Sequence, residues 1–442
     1  MEEIELKNIE FYEETEFKET EIGPLPKDWG VMRLEYIVEK MKAGGTPSTN
    51  ISEYWNGDIP LVKVEDVVKS NKFLFSTNLY ITNKGLENSS AWLVPENSII
   101  LTMYGTPGEV CINKIPVAVT QNVMGIVKNE KITIDFFYYV LKFAKIYTLH
   151  LITDRTIFTH FTLSKAKNLK IPLPPLSEQQ KIAAVLSAIQ EAKEKTERVI
   201  EATKNLKKSL MKHLFTYGPV PLSDIDKVEL KETEIGPHPI HWQVVRLGDV
   251  IINNNKFKFL NDIDEYIPFI PMELIPEENL YIQNWILKRK SIIKSGVKIF
   301  EGDLLVAKIT PCFENGKQGI VKGLPKSYGF ATTEIIPIRT KDNILSEFIA
   351  NYLKLSDIRK NLASKMEGTT GRQRLSKSQL FNLLIPLPPL SEQQKIAEIL
   401  SSVDEKIQKE EERKRALENL FKSMLHNLMT GKIRVRSLNS KG

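Results

Sequence analysis

The sequence predicts a mixed α/β (α+β) fold in two copies, separated by two long helices that form an antiparallel coiled coil, with an internal pseudo-twofold repeat. Three observations predict it. One passage is written twice, each writing opens a long heptad-patterned run, and the stretches before it carry short apolar strands with a late helix. Windows 169–187 and 383–401 agree at 16 of 19 positions, at an offset of 214. A second pair, "KETEIGPLPKDW" (residues 18–29) and "KETEIGPHPIHW" (residues 231–242), agrees at 9 of 12. Two copies at so long a period are a duplicated domain and not a solenoid.

Each copy begins with that lead-in segment and continues into a middle of roughly 140 residues, the length of an ordinary domain. The middles barely resemble one another. "IPLVKVEDVV", "NSIILTMYG" and "VAVTQNVMGIV" read as strands in the first, "GDLLVAKIT" and "ATTEIIPIRT" in the second. "IDFFYYVLKFAKIYTLHLI" and "LSEFIANYLKLSDIRKNLAS" read as late helices.

The Pro-rich passage comes next. Pro172, Pro174 and Pro175 fix φ and withhold donors, so the chain is extended there. Ser177 with Gln180, and Ser391 with Gln394, have the spacing of a capping box. Glu178 and Glu392 suit the first turn, where the helix dipole favours negative charge. The seam then runs through Ile182, Leu186, Ile189, Thr196, Val199, Thr203, Leu206 and Leu210. Its counterpart is Ile396, Leu400, Val403, Ile407, Leu417, Phe421, Met424 and Leu428, interrupted at Glu410 and Lys414. Gly218-Pro219 and Gly431 are the stops. Helices of about 38 residues span roughly 55 Å, comparable to ~16 base pairs of B-DNA. Antiparallel pairing would set two equivalent heads apart at a fixed spacing.

Composition narrows the class. The 442 residues are 42% hydrophobic and 26% charged, as in globular proteins. No apolar run approaches the ~20 residues of a membrane span, and no signal peptide opens the chain, so a cytoplasmic protein with no membrane partner is expected. Cys111 and Cys312 lie far apart in sequence and form no metal or redox motif. A net charge of +6 permits an anionic partner without requiring one. The acidic first 17 residues read as a loose arm.

Catalytic signatures are missing. No G-x-x-x-x-G-K-[ST] run, dinucleotide fingerprint or G-x-S-x-G elbow occurs. His238 and His241 match Leu25 and Asp28 in the first copy, which argues against a shared metal site. Asp303 near Lys308 resembles a nuclease pattern but has no first-copy counterpart. Binding chemistry lies instead in basic polar stretches after the late helices. Arg155, Thr156, His160 and Lys165 stand in the first copy, and Lys365, Arg372, Gln373, Arg374 and Lys377 in the second. Arg forks onto guanine, Gln onto adenine, and Lys and Thr hold phosphates. Either stretch alone reads more readily as a solvated loop; their matching placement in both copies makes contact an equal reading. The turns at residues 104–114 and 310–319 are weaker candidates, with Asn315 and Lys317 as contacts.

"GGTPSTNISEYWNGDIPLVKVEDV" (residues 44–67), "YGTPGEVCINKIPVAVTQNVMGI" (residues 104–126), "AKITPCFENGK" (residues 307–317) and the doubled "IPLPPLSEQQKIA" carry a family resemblance. The chain resembles the specificity subunit of Type I restriction–modification enzymes, from residue 18 to about residue 432. The resemblance implies two target-recognition domains, each reading one half of a bipartite, asymmetric site in double-stranded DNA. It implies spacer helices that set the gap and dock two adenine-methyltransferase subunits, with restriction (translocase) subunits joining through them. It implies a non-catalytic chain that binds no cofactor, S-adenosylmethionine and ATP with Mg belonging to partners. The expected division is an arm (1–17), first recognition domain (18–175), first spacer helix (176–217), second recognition domain (218–389), second spacer helix (390–431) and basic tail (432–442). A coiled-coil scaffold that reads no DNA, and a sequence-specific nuclease with an unrecognised site, are the rival readings.

Overall fold

A computed structural model describes residues 9–147, 161–252, 266–369 and 371–437. The chain divides into two units. The first is Met1–Thr196 with Arg413–Gly442, the second Glu197–Glu412, so both divisions fall inside the long helices.

The two unlike middles have one topology. In the first unit, a sheet runs in the order Val38–Ala43, Val123–Lys128, Ile99–Thr102, Val110–Asn113, Phe73–Leu74. In the second unit, Ile335–Ile338, Leu304–Ala307, Gln318–Val321 and Tyr281–Ile282 repeat the last four places. The antiparallel and parallel pairings match one for one. A second sheet, Leu79–Ile81, Trp55–Val62, Val117–Val119, Leu93–Val94, is likewise matched by Ile286–Arg289, Tyr266–Ile270, Tyr328–Ala331, Val297–Phe300. The shared pattern needs only apolar, mostly β-branched inward residues. Ile99–Thr102 and Leu304–Ala307 are buried along their whole length.

Two sequence expectations are corrected here. "VEDVV" is not strand: Val64–Lys69 is helical, because Asp66 turns back to accept the Lys63 N–H at 2.9 Å. The late helix of the second copy is two helices, Ser346–Leu353 and Ser356–Ala363. Its first-copy counterpart is described over Ile134–Tyr147 as one helix.

The repeated passages pack on each other. Lys170–Leu173 pairs antiparallel with Gly30–Arg33, and Leu384–Leu387 with Gln243–Arg246. The long helices then run Leu176–Tyr217 and Leu390–Met429, each about 60 Å at ~1.5 Å per residue. Gly218 and Gly431 follow them with φ of 82° and 65°, the left-handed conformation that closes a helix. In the first unit, Ile182, Leu186, Leu425 and Leu428 share one core; in the second, Met211, Leu214, Ile396 and Leu400 do. Within each unit, therefore, the start of one long helix packs beside the end of the other. Lys193–Glu418 (3.4 Å) ties them in the first unit, Lys204–Glu411 (2.9 Å) and Lys207–Asp404 (2.5 Å) in the second.

The capping-box assignment is corrected. Pro175 O accepts from both the Glu178 and Gln179 N–H groups, and Pro389 O from those of Glu392 and Gln393, so each helix begins one residue before its serine. Ser177 and Ser391 are exposed second residues, as are Gln180 and Gln394 further on; the Gln394 amide donates to Glu398. The seam is corrected at two places. Leu206 is 59% exposed and Val199 only half-buried, while Ile200 is buried and Lys207, ion-paired, takes the next inward position. The remaining seam positions, Ile189 and Leu210 in the first helix and Val403, Ile407, Leu417, Phe421 and Met424 in the second, are buried or half-buried. The expectation of a loose arm over residues 1–17 is corrected from residue 9 onward. Ile9–Glu13 pairs antiparallel with Ile433–Ser437, so the two ends of the chain complete the first unit.

Candidate nucleic-acid interface

In each unit the repeat builds one buried clamp that holds the middle against the long helix. Gln179 is fully buried; its Oε1 accepts from Thr133 N (2.9 Å), and its Nε2 donates to Lys131 O (3.1 Å) and Pro174 O (2.9 Å). Gln393 repeats this on Leu345 N (2.9 Å), Asn343 O (3.1 Å) and Pro388 O (2.9 Å). Beside it, Trp29 Nε1 donates to Glu178 (3.0 Å), and Trp242 Nε1 to Glu392 (2.8 Å). The outer partner differs. Arg434 is buried and donates to Glu178, Asp28 and Glu14 in the first unit. In the second, His241 meets Glu392 directly at 2.8 Å. His241 stands where the first copy has Asp28, so an imidazole in contact with the glutamate replaces the acid where no arginine is supplied. The sequence reading missed this clamp. Its signal was present in the matched Trp29/Trp242 and Gln179/Gln393 pairs.

Above the clamp, the second unit gathers its candidate residues. Strand Leu304–Ala307 leads to Lys308, whose N–H donates to Glu334 O (3.0 Å) and whose carbonyl accepts from Leu375 N (2.7 Å). Thr310 N donates to Gln373 O (3.1 Å), and Gln373 N to Thr310 Oγ1 (3.0 Å). The turn after residue 310 and the basic stretch, two separate candidates in sequence, are thus hydrogen-bonded together. Glu367–Thr369 and Arg372–Arg374 form a hairpin. Arg372 and Arg374 share one strand face and are both exposed, with Gln373 half-buried on the other. Arg374 forks onto Glu334 through two 3.0 Å bonds, which hold the Glu334 carboxyl below its ordinary range. Arg372 makes no ion pair among the described residues. Lys365 and Lys377 are exposed, Lys377 at the start of helix Lys377–Phe381.

A cleft of about 790 Å³ opens beside this hairpin. Lys298, Lys308, Arg339, Arg374 and Lys377 line it against Asp303 and Glu367, an excess of positive charge. Asp303 is no nuclease carboxylate. It is buried, its carboxyl pushed up by burial, and Arg339 forks onto it at 2.8 Å while Phe300 N donates to it. Asn315 is exposed on its turn. Lys317 is half-buried with its ammonium on Met272 O (3.0 Å), so its side chain serves the fold.

The first unit repeats the frame of this site. Phe161 N donates to Met103 O (3.1 Å) as Leu375 does to Lys308, and Met103 N to Asn122 O (2.8 Å) as Lys308 does to Glu334. Thr162 caps Leu163–Asn168 where Ser376 caps Lys377–Phe381. Lys165 is exposed on that short helix. Arg155, Thr156 and His160 lie outside the described residues; in sequence His160 stands 214 positions before Arg374. Among the described residues, no group of three or more His, Cys, Asp or Glu is placed to hold a metal, and no helix is long and apolar enough to cross a membrane.

One α/β framework used twice on one repeated clamp, with unlike sequences in the two middles, defines a duplicated binding chain. The model of the Type I restriction modification DNA specificity domain matches residues 26–203 and again 239–419. The chain belongs to that family. It is 29% identical over 437 residues to the Type I restriction enzyme MjaVIII specificity subunit of Methanocaldococcus jannaschii, covering 98% of this chain and 99% of that one. It is 27% identical to the MjaIX specificity subunit of the same organism, covering 97% and 99%. Among solved structures, it resembles the S subunit of a Type I restriction–modification system from M. genitalium (TM-score 0.53, 16% identity, covering 91% of this chain and 96% of that one). It also resembles a chain from a study of assembly and conformational transition in the type I R-M system (TM-score 0.57, 18% identity, 92% and 99%). These two likenesses bear on the fold.

Proposed function

We propose that this chain is the DNA-reading subunit of a Type I restriction–modification complex, each unit reading one half of a bipartite, asymmetric site. The observation that carries the reading is that two middles of unlike sequence share one topology on one repeated clamp. A frame that must be the same twice and a surface that must differ twice are what two half-sites require. In the second unit, Arg372 offers a fork for guanine and Gln373 an amide for adenine, while Lys308, Lys365 and Lys377 attract phosphate. Arg374, already held by Glu334, supports the hairpin and is a weaker reader. The long helices act as one antiparallel coiled coil that sets the gap between half-sites.

Two adenine-methyltransferase subunits dock on this frame, one for each strand, and restriction subunits join through them. S-adenosylmethionine and ATP with Mg belong to those partners, and this chain performs no chemistry itself. Its place of action is the cytoplasm, where its DNA is. The test is to co-purify the chain with its modification subunit, supply S-adenosylmethionine, and map N6-methyladenine on random-sequence DNA. Methylation confined to two short motifs at constant spacing, one adenine on each strand, supports the reading. Methylation without sequence preference refutes it.

A further inference from the structure

A buried guanidinium is costly, and a core keeps one either beside a carboxylate or for the geometry it imposes. Arg359 is buried on helix Ser356–Ala363, and among the described residues no carboxylate pairs with it. Burial lowers its pKa to about 10, so it stays charged at neutral pH. Its acceptors are all neutral. Nη1 donates to Phe313 O (2.7 Å), and Nη2 to Leu353 O (2.9 Å) and to the Gln318 side chain. Its Cζ lies 4.8 Å from the centre of the Phe313 ring.

These acceptors belong to separate elements. Leu353 ends helix Ser346–Leu353, whose last carbonyls lack helical partners. The break after that helix lets Arg359 fold back over six positions to reach it. Gln318 opens strand Gln318–Val321, is fully buried, and its amide donates on to Ala350 O (2.6 Å). Phe313 lies in the turn between Leu304–Ala307 and Gln318–Val321. Replacing a buried charged network by packed apolar side chains is often neutral or stabilising, so stability alone does not account for this arginine. A planar fork with directed donors does fix how turn, strand and helix sit.

The element it fixes carries the candidate readers. Phe313 N donates to Ile309 O (2.9 Å), and Thr310 is bonded to Gln373 in both directions. The hairpin Glu367–Arg374 is therefore tied to the Phe313 carbonyl through one short turn. The first unit serves its matching turn by different chemistry: Lys145 of helix Ile134–Tyr147 pairs with Glu109, just before strand Val110–Asn113. In both units the late helix hands a cation to the same turn.

We propose that Arg359 is a positioning residue for the second half-site: its buried fork holds the turn after residue 310, and through Thr310 the hairpin bearing Arg372 and Gln373, without touching DNA. This rests on the reading of the hairpin as a DNA-reading edge. Side chains that read base edges must be held to within about 0.5 Å, and a rigid support behind them does that.

The test uses the full chain with its modification subunit and duplexes carrying the site selected from random DNA, with every single-base change in each half, compared by competition binding. Arg359→Met strands three buried acceptors and frees the turn. Discrimination in the second half-site should fall about tenfold, the size of one good base contact, and in the first should stay within about twofold. Loss of folded protein alone scales every affinity by one factor and leaves the ranking of sequences intact. Arg359→Lys keeps the charge without the fork. It should lower discrimination in the second half-site about threefold while hydrogen exchange of residues 304–307 and 318–321 stays as in wild type. A uniform loss on all sequences, or unchanged discrimination in both variants, would make Arg359 a structural residue and overturn the proposal. Loss of exchange protection in the lysine variant would do the same. Should the wild-type complex select no site at all, the reading of the chain falls, and the proposal with it.

Discussion

Replacing Gln179 by alanine isolates the clamp of one unit. The substitution leaves the Thr133 N–H and the Pro174 carbonyl without their partner inside the protein, while the Lys131 carbonyl can turn to water because Lys131 is exposed. A buried polar group left unpaired costs about 1–3 kcal/mol. Two such groups, one only part-buried, give about 3 kcal/mol, or roughly a hundredfold in the local opening equilibrium. Gln393→Ala should do the same through Leu345 N and Pro388 O. Two units need not unfold as one, so a single melting curve is the wrong assay. Native-state hydrogen exchange resolves them. Gln179→Ala should release amides around residues 131–137 and 170–182 and leave residues 343–353 and 384–396 as in wild type, and Gln393→Ala should show the converse. Loss of protection spread equally over both regions, or a change under about threefold, would refute the view that each glutamine closes its own unit.

Further outcomes follow from the same contacts. Arg434→Ala strands three carboxylates and should cost the first unit about 3–5 kcal/mol, read as exposure of residues 9–13 to exchange. Arg434 also holds the Asp28 carboxyl below its ordinary value, so this contribution is present above about pH 4 and is lost as pH falls through the folded value. His238 is buried, and burial lowers its pKa against the raising effect of the Phe215 backbone beside it. Fewer protons are then bound folded than unfolded, so the second unit should lose stability as pH falls below about 6.5. His238→Leu, copying Leu25, should flatten that slope in urea titrations at pH 5 and 7.5. Arg372→Ala should relax discrimination in one half-site only, measured against single-base variants; uniform loss would make it a phosphate contact. Removing seven residues from each long helix shortens each by about 10 Å, and so the gap by about three base pairs, with the half-site letters unchanged.

Much of the frame was legible because it is written twice. The proline passage, the long helices and their glycine stops follow from local chemistry. The serines misled because a proline carbonyl, which no pattern of capping letters shows, accepts the first helical bonds. The seam slipped at Val199 and Leu206 because apolar letters were followed, while the packed position at 207 is a lysine neutralised by Asp404. Pairing of Ile9–Glu13 with Ile433–Ser437 was hidden by charge: a buried arginine such as Arg434 reads as surface until its three acids are brought to it by the fold. The hairpin and the turn after residue 310 were each picked out by composition, but their union depends on bonds between Thr310 and Gln373, 63 positions apart, one of them main chain to main chain. Lys317 looked like any other loop lysine because a main-chain carbonyl partner leaves no mark in the sequence.

The most direct measurement is selection from random duplex DNA by the chain in complex with its modification subunit, followed by sequencing of what is retained. The account predicts two short, unlike motifs at one fixed gap. A single continuous motif, or no enrichment by a complex shown to be assembled, would contradict it.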